Sequence, residues 1–389
     1  MRLDCHPLHN NHSLSSLPYT IIDAMKQGWS TCSSAILAIV IISVGILRIY
    51  YCCQLPVNTN DVLRHMQYGL LVNENGLRVA GLPLDEIGAD FEHIPWHTLP
   101  YNYPIVTLLF FTLVARISPT VFFAKLALTL LEALNSLILF RYSREKWLAL
   151  IYWASPVSIW WVSHEAQFEP LQNLFVLTAL CLLSKKRSRE SLVFLTIAIQ
   201  VKVSAVFLLP FFIYSIKRQI EPKHYLTALV VVSMPTVYSR FFFPSVENVF
   251  RYSSALVYNP YYWNFLRTRI FLWTAQLRWF MACNQISSYL MLAVLVALAF
   301  RQRNAVQLLA PIAFLVFVKV RQNAQFWYMA LFQPFLLPIR NKKLRFLLFL
   351  LTPLLDIRST LQILLGPFGF VGPDFYTNIT PFTVLSTPG

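Results

Sequence analysis

Charge is what this chain has least of. Only 13% of its 389 residues are Asp, Glu, Lys or Arg, about half the share of a soluble domain. Acid is the scarcer sign, with 17 Asp and Glu against 32 Lys and Arg. Glycine is scarce too, at 10 residues, and there is no GxxxxGK[ST], no GxGxxG after a strand, no HExxH and no GxSxG. These absences exclude a phosphate-cradling P-loop, a dinucleotide fold, a zincin helix and a nucleophile elbow. A soluble nucleotide sugar therefore has no obvious cradle here. The cysteines, Cys5, Cys32, Cys52, Cys53, Cys181 and Cys283, form neither a CxxC redox pair nor a zinc spacing, and read as inert thiols.

What is present is apolar. Hydrophobic residues make up 57% of the chain and mean hydropathy is +0.54. Apolar runs fall at about 35–51, 104–117, 120–140, 147–163, 170–184, 191–216, 225–240, 284–300, 304–318, 326–339 and 344–355. A span needs ~20 apolar residues, with ~17 as a working minimum. Between the runs sit basic clusters: Arg141, Arg144, Lys146; Lys185, Lys186, Arg187, Arg189; Lys217, Arg218, Lys223; Arg301, Arg303; and Arg340, Lys342, Lys343, Arg345. The net charge of +15 is thus of the kind that marks cytoplasmic loops, not a nucleic-acid footprint.

Putting every basic cluster inside fixes the crossings. Residues 1–34 are polar and without a short basic start before an apolar core, so the first run is expected to stay as an anchor rather than be cleaved. Run 104–117 is too short to span and is predicted to lie on the outer surface, which extends the first outer loop to 52–118. Run 191–216 must leave and return, as two half-helices with Lys202 near the outer tip. The expected fold is all-α: a polytopic transmembrane helical bundle crossing about ten times. It has a cytoplasmic segment 1–34, one membrane domain 35–355 with outer loops 52–118 and 241–283, and an outer tail 356–389.

Polar residues at membrane depth are expensive and mark function. Asp61 follows the first span by about ten residues, with Arg64, His65 and Tyr68 one and two helical turns on. A partly desolvated carboxylate there suits a general base, and adjacent cations suit a phosphate. Tyr101-Asn102-Tyr103-Pro104 precedes the surface helix. Ser163-His164-Glu165-Ala166-Gln167-Phe168-Glu169-Pro170 reads as a short outer turn, and Gln200-Val201-Lys202 places a cation between apolar half-helices. Lys319-Val320-Arg321-Gln322 through Phe326-Trp327-Tyr328 puts cations at an outer span end, where an anionic headgroup would explain them. Glu132 and Asn135 read as a polar pair joining helices.

The order of these features resembles the membrane glycosyltransferases of the GT-C superfamily, which use polyprenyl-phosphate sugars. The matching residues run in sequence. Asn60-Asp61-Val62-Leu63-Arg64 is followed by Tyr68-Gly69, then Tyr101-Asn102-Tyr103-Pro104. Ser155-Pro156 precedes Gln167-Phe168-Glu169. Gln200-Val201-Lys202 is followed by Pro210, and Phe326-Trp327-Tyr328 by Pro334. The resemblance covers about residues 35–340 and extends broadly to mannosyltransferases. It implies Asp61 as catalytic base and Arg64, Lys202 and Arg321 on the donor phosphate. It implies His65, Tyr103, Gln167, Glu169, Gln322 and Tyr328 on sugar or acceptor. The chain departs from the family in having Asn-x-Asn-Asp for Asp-x-Asp, leaving one acid and no metal pair, and Glu169 for Asp.

The resemblance therefore implies transfer of a sugar such as mannose from a polyprenyl- or dolichyl-phosphate donor to a lipid or glycan acceptor. The partners would be membrane lipids, and no cofactor is expected. The membrane would be the endoplasmic reticulum or the bacterial inner membrane; Asn378-Ile379-Thr380 is a glycosylation triplet that arises too easily by chance to choose. Two rival classes are a polytopic transporter or lipid flippase, and a non-catalytic subunit of a glycosylation complex.

Overall fold

The computed structural model describes residues 19–54, 56, 61–87, 94, 97–143, 145–216, 286, 289–300, 306–320, 330–356 and 363. The second outer loop, Arg321, Gln322 and Tyr328 lie outside the described residues, as does the C-terminal tail apart from Asp356 and Ile363. The described residues are mostly helical, with no β-strand among them.

The helices in order are α1 (Tyr19–Cys52), α2 (Asp61–Asn75), α3 (Ile105–Ile117), α4 (Val121–Ser143), α5 (Lys146–Trp153), the short α6 (Pro156–Ser158) and α7 (Glu169–Ser184). Then come α8 (Ser188–Val201) and α9 (Leu209–Ile216), and α10 (Tyr289–Phe300). The last are α11 (Val306–Val320), α12 (Phe332–Phe335) and α13 (Lys342–Leu351). Contacts divide the chain into two units, Met1–Ile46 and Leu47–Gly389. The first holds most of α1, which begins at Tyr19, sixteen residues ahead of the first apolar run. Hydropathy marks where a helix can meet an apolar medium, not where it starts.

Among the described residues, two helices are long and apolar enough to cross a membrane: Ala35–Cys52 within α1, at mean hydropathy 2.3, and Val121–Tyr142 within α4, at 1.7. The faces of α4 are reversed relative to a helix in water. Leu130, Leu134 and Leu137 are exposed, whereas Lys125, Thr129, Glu132 and Asn135 are buried at helical spacing. At 1.5 Å per residue, the 13 residues of α3 reach ~20 Å, short of a ~30 Å hydrocarbon core.

One core cluster joins α2, α3 and the start of α4 to Val162, Phe168 and Val201. Two 3-10 turns, Leu77–Gly81 and Leu84–Ile87, link α2 towards α3. The two helices approach at Gly69, where an added Cβ would sit 2.5 Å from the Phe111 carbonyl oxygen. That neighbour is backbone and cannot swing away. Gly69→Ala is therefore expected to force α2 from α3 at a cost of ~1–3 kcal/mol, read as a lowered unfolding midpoint in detergent. An unchanged midpoint would show that the pair separates freely.

A buried polar layer ties α4 to its neighbours. Arg48 donates to Ser163 Oγ (3.0 Å), Ser158 Oγ (3.0 Å) and the Trp153 carbonyl (2.8 Å), and its guanidinium lies 4.4 Å from the Trp153 ring centre. Ser158 donates to Glu132 Oε1 at 2.7 Å. Asn135 donates to the Pro170 carbonyl at 2.9 Å, and Asn173 to the Tyr152 hydroxyl at 3.0 Å. Glu132 and Asn135 thus join helices, since apolar surface alone gives little pairing preference in an apolar surround.

Candidate active site

The site assembles at the start of α2, where Asp61 is the first helical residue. Its carboxylate is half-buried and shares a hydrogen bond with Gln167. Burial pushes its pKa up, and the cations Arg64 and Lys202 with the Gln167 bond pull against that. Three chain segments more than thirty residues apart thereby meet: the α2 start, the turn after residue 164, and the break at Lys202.

The turn is built by an unusual backbone. Ser155-Pro156 starts α6, and the chain widens into a π-helix over Ile159–His164. Ala166 then takes a left-handed φ of 58°, and the Gln167 amide returns to the Trp161 carbonyl at 2.8 Å. A left-handed alanine costs ~1–2 kcal/mol, and both strain and π-bulges concentrate at functional sites. The sequence reads as a short outer turn whose polar residues are costly unless used; in the structure Ser163, His164, Glu165, Gln167 and Glu169 are all buried, because the reversal folds the turn against α4 and α2. His164 stacks on Trp160 at 4.2 Å and meets Glu165 Oε1 at 2.7 Å.

Lys202 lies in an extended break (φ −154°, ψ 129°) between α8 and a 3-10 turn, Val203–Leu208. The break is pinned on both sides. Thr107 of α3 donates to the Val201 carbonyl at 3.0 Å, and Ser204 donates to Gln172 Oε1 of α7 at 3.1 Å. Lys202 Nζ pairs with Glu169 Oε1 and stands 5.1 Å from the Phe168 ring centre. Both members of this ion pair are buried, so each is the other's replacement for water.

Arg64, expected on the donor phosphate, is held by acceptors of the protein itself. Its guanidinium donates to Asn102 Oδ1 (2.9 Å) and to the carbonyls of Leu99 (2.9 Å) and Pro100 (2.5 Å). One turn on, the Tyr68 hydroxyl donates to the Leu82 carbonyl at 2.8 Å, and burial raises that phenol to about 12. Together they clamp the loop that presents Tyr101 and Tyr103. His65 is stacked on Phe111 at 4.6 Å and packs edge-on to Tyr103 (5.0 Å) and Phe168 (5.2 Å). Its Nδ1 lies 2.9 Å from the Tyr101 hydroxyl. Burial, reinforced by Arg64 and Lys202, holds its pKa well below the usual value, so the ring is neutral near pH 7.

Six of the expected residues therefore belong to one neighbourhood with Asp61: Arg64, His65, Tyr103, Gln167, Glu169 and Lys202. Phe168, not singled out beforehand, is its hub, in contact with His65, Tyr103 and Lys202. Lys125 was also passed over; it is buried on α4 and donates to the Gln54 carbonyl at 2.7 Å. Its only signal was a lone cation inside an apolar run. Among the described residues, no three His, Cys, Asp or Glu gather as a metal cluster.

No protein-family model matches the chain, and no curated protein and no solved structure matches it.

Proposed function

We propose that the chain is a multi-pass membrane glycosyltransferase of GT-C type, moving a sugar from a polyprenyl- or dolichyl-phosphate donor to a lipid or glycan acceptor. The observation that carries the reading is the meeting of Asp61, Gln167 and the Lys202–Glu169 pair beside buried aromatic rings. A base, a cation and an enclosed wall are what such a transfer needs. The donor's tail lies in the bilayer of the endoplasmic reticulum or bacterial inner membrane, and mannose is the first sugar to try. Asp61 takes the proton of the acceptor hydroxyl as that oxygen attacks the anomeric carbon. The carbon–oxygen bond to phosphate breaks with inversion, and the lipid phosphate departs with the electron pair. Lys202 offsets the charge gathering on it. Gln167 orients the Asp61 carboxylate, and Arg64 keeps the Tyr101–Tyr103 loop against the sugar.

The pH profile tests the base. A base works only when deprotonated, so activity is full above the pKa of Asp61 and is lost as pH falls through it. Burial places that limb above the ordinary 3.8. Transfer measured as kcat/KM against pH should fall on the acid side above this value. A profile flat down to about pH 4 would speak against Asp61 as the base.

A further inference from the structure

Glu169 and Gln172 stand three residues apart in the first turns of α7, hence on one face. Both reach the same stretch of chain: Glu169 Oε1 accepts from Lys202, and Gln172 Oε1 accepts from Ser204 Oγ at 3.1 Å. These bonds fix which atoms are left over. Glu169 Oε2 and Gln172 Nε2 have no partner, though Glu169 is 0% and Gln172 1% exposed. Each orphan costs ~1–3 kcal/mol, and such groups in a native structure call for a missing partner.

The pair specifies that partner. An ionised carboxylate oxygen only accepts, and an amide nitrogen only donates. A phosphate would repel the first, and a prenyl tail would satisfy neither. A hydroxyl both donates and accepts, and two neighbouring hydroxyls on a sugar ring meet both atoms at once. The fully buried Phe168 ring stands 5.1 Å from Lys202 Nζ, the partner of Glu169, and adds apolar surface there.

We infer that Glu169 Oε2 and Gln172 Nε2, with Ser204 holding the amide, form the subsite that reads two neighbouring hydroxyls of the transferred sugar. This rests on the glycosyltransferase reading. Gln172 is then a specificity-determining residue, separate from the base and from the cation that meets the phosphate.

The test uses the full chain in lipid nanodiscs and measures Kd for polyprenyl-phosphate mannose, polyprenyl-phosphate glucose and bare polyprenyl phosphate. Wild type should bind one sugar-bearing lipid more tightly than the bare one. Gln172→Met should shrink that ratio about ten- to a hundredfold and leave the bare lipid's Kd unchanged, which also reports an intact fold. Gln172→Glu, which places an acceptor where a donor stood, should shrink it at least as far. A ratio that survives in both variants overturns the subsite while the glycosyltransferase reading stands. Equal loss of all three lipids in both variants makes Gln172 structural only and overturns it too. A wild-type protein that binds none of the lipids overturns the parent reading, and the subsite with it.

Discussion

An Asp61→Asn variant is expected to insert and fold as wild type does and to lose transfer by roughly a hundred- to ten-thousand-fold. The substitution keeps the shape of a half-buried side chain and keeps an oxygen for the Gln167 bond. It removes only the ability to take a proton. Donor binding should therefore stay within about threefold of wild type, because the proposed mechanism puts the carboxylate on the acceptor, not the phosphate. The loss should appear in kcat with little change in KM for the donor. Transfer at the wild-type rate would remove Asp61 from the chemistry.

The second large effect is at Lys202. Lys202→Met leaves the Glu169 carboxylate buried without its cation, and breaking one side of such a pair costs about 3–5 kcal/mol. Thermal unfolding in detergent should register this as a drop of several degrees. Adding Glu169→Gln removes the stranded charge and should recover most of the stability. Transfer should remain lost in both variants, because neither has the cation. That split separates a site residue from a structural one. A double variant that regains both stability and transfer would make Lys202 a helix fastener only. A Lys202→Met protein with wild-type stability would show that the pair is not enclosed as the structure has it.

Much of this neighbourhood is legible in the sequence because the chain is so poor in charge. Asp61, Glu169 and Lys202 stand out against an apolar background, and Gln167 lies two residues from one of them. Phe168 stands inside the Gln167-Phe168-Glu169 motif, yet among 31 Phe nothing in its type tells that it touches His65, Tyr103 and Lys202. For Arg64 the sequence shows the charge but not its protein partners: its fork donates to the carbonyls of Leu99 and Pro100, a contact set by the folding of a distant loop. The polar string 163–169 is legible as a costly cluster, but the backbone that buries it is not: nothing in its residue types marks the π-helix or the left-handed Ala166 that fold it inward. The all-helical class followed from composition. The number of crossings did not, because runs such as the 16 residues of α7 fall between a span and a buried helix by length alone.

The most direct measurement is on the purified protein in liposomes, given polyprenyl-phosphate mannose and glucose labelled in the sugar, together with a membrane-lipid extract as acceptor. If the chain is a glycosyltransferase, label moves to a new product, one unlabelled polyprenyl phosphate appears for each sugar moved, and Asp61→Asn stops both. If label crosses the bilayer still attached to its lipid, or never leaves it, the carbon–phosphate oxygen bond is not being broken and the proposed activity is contradicted.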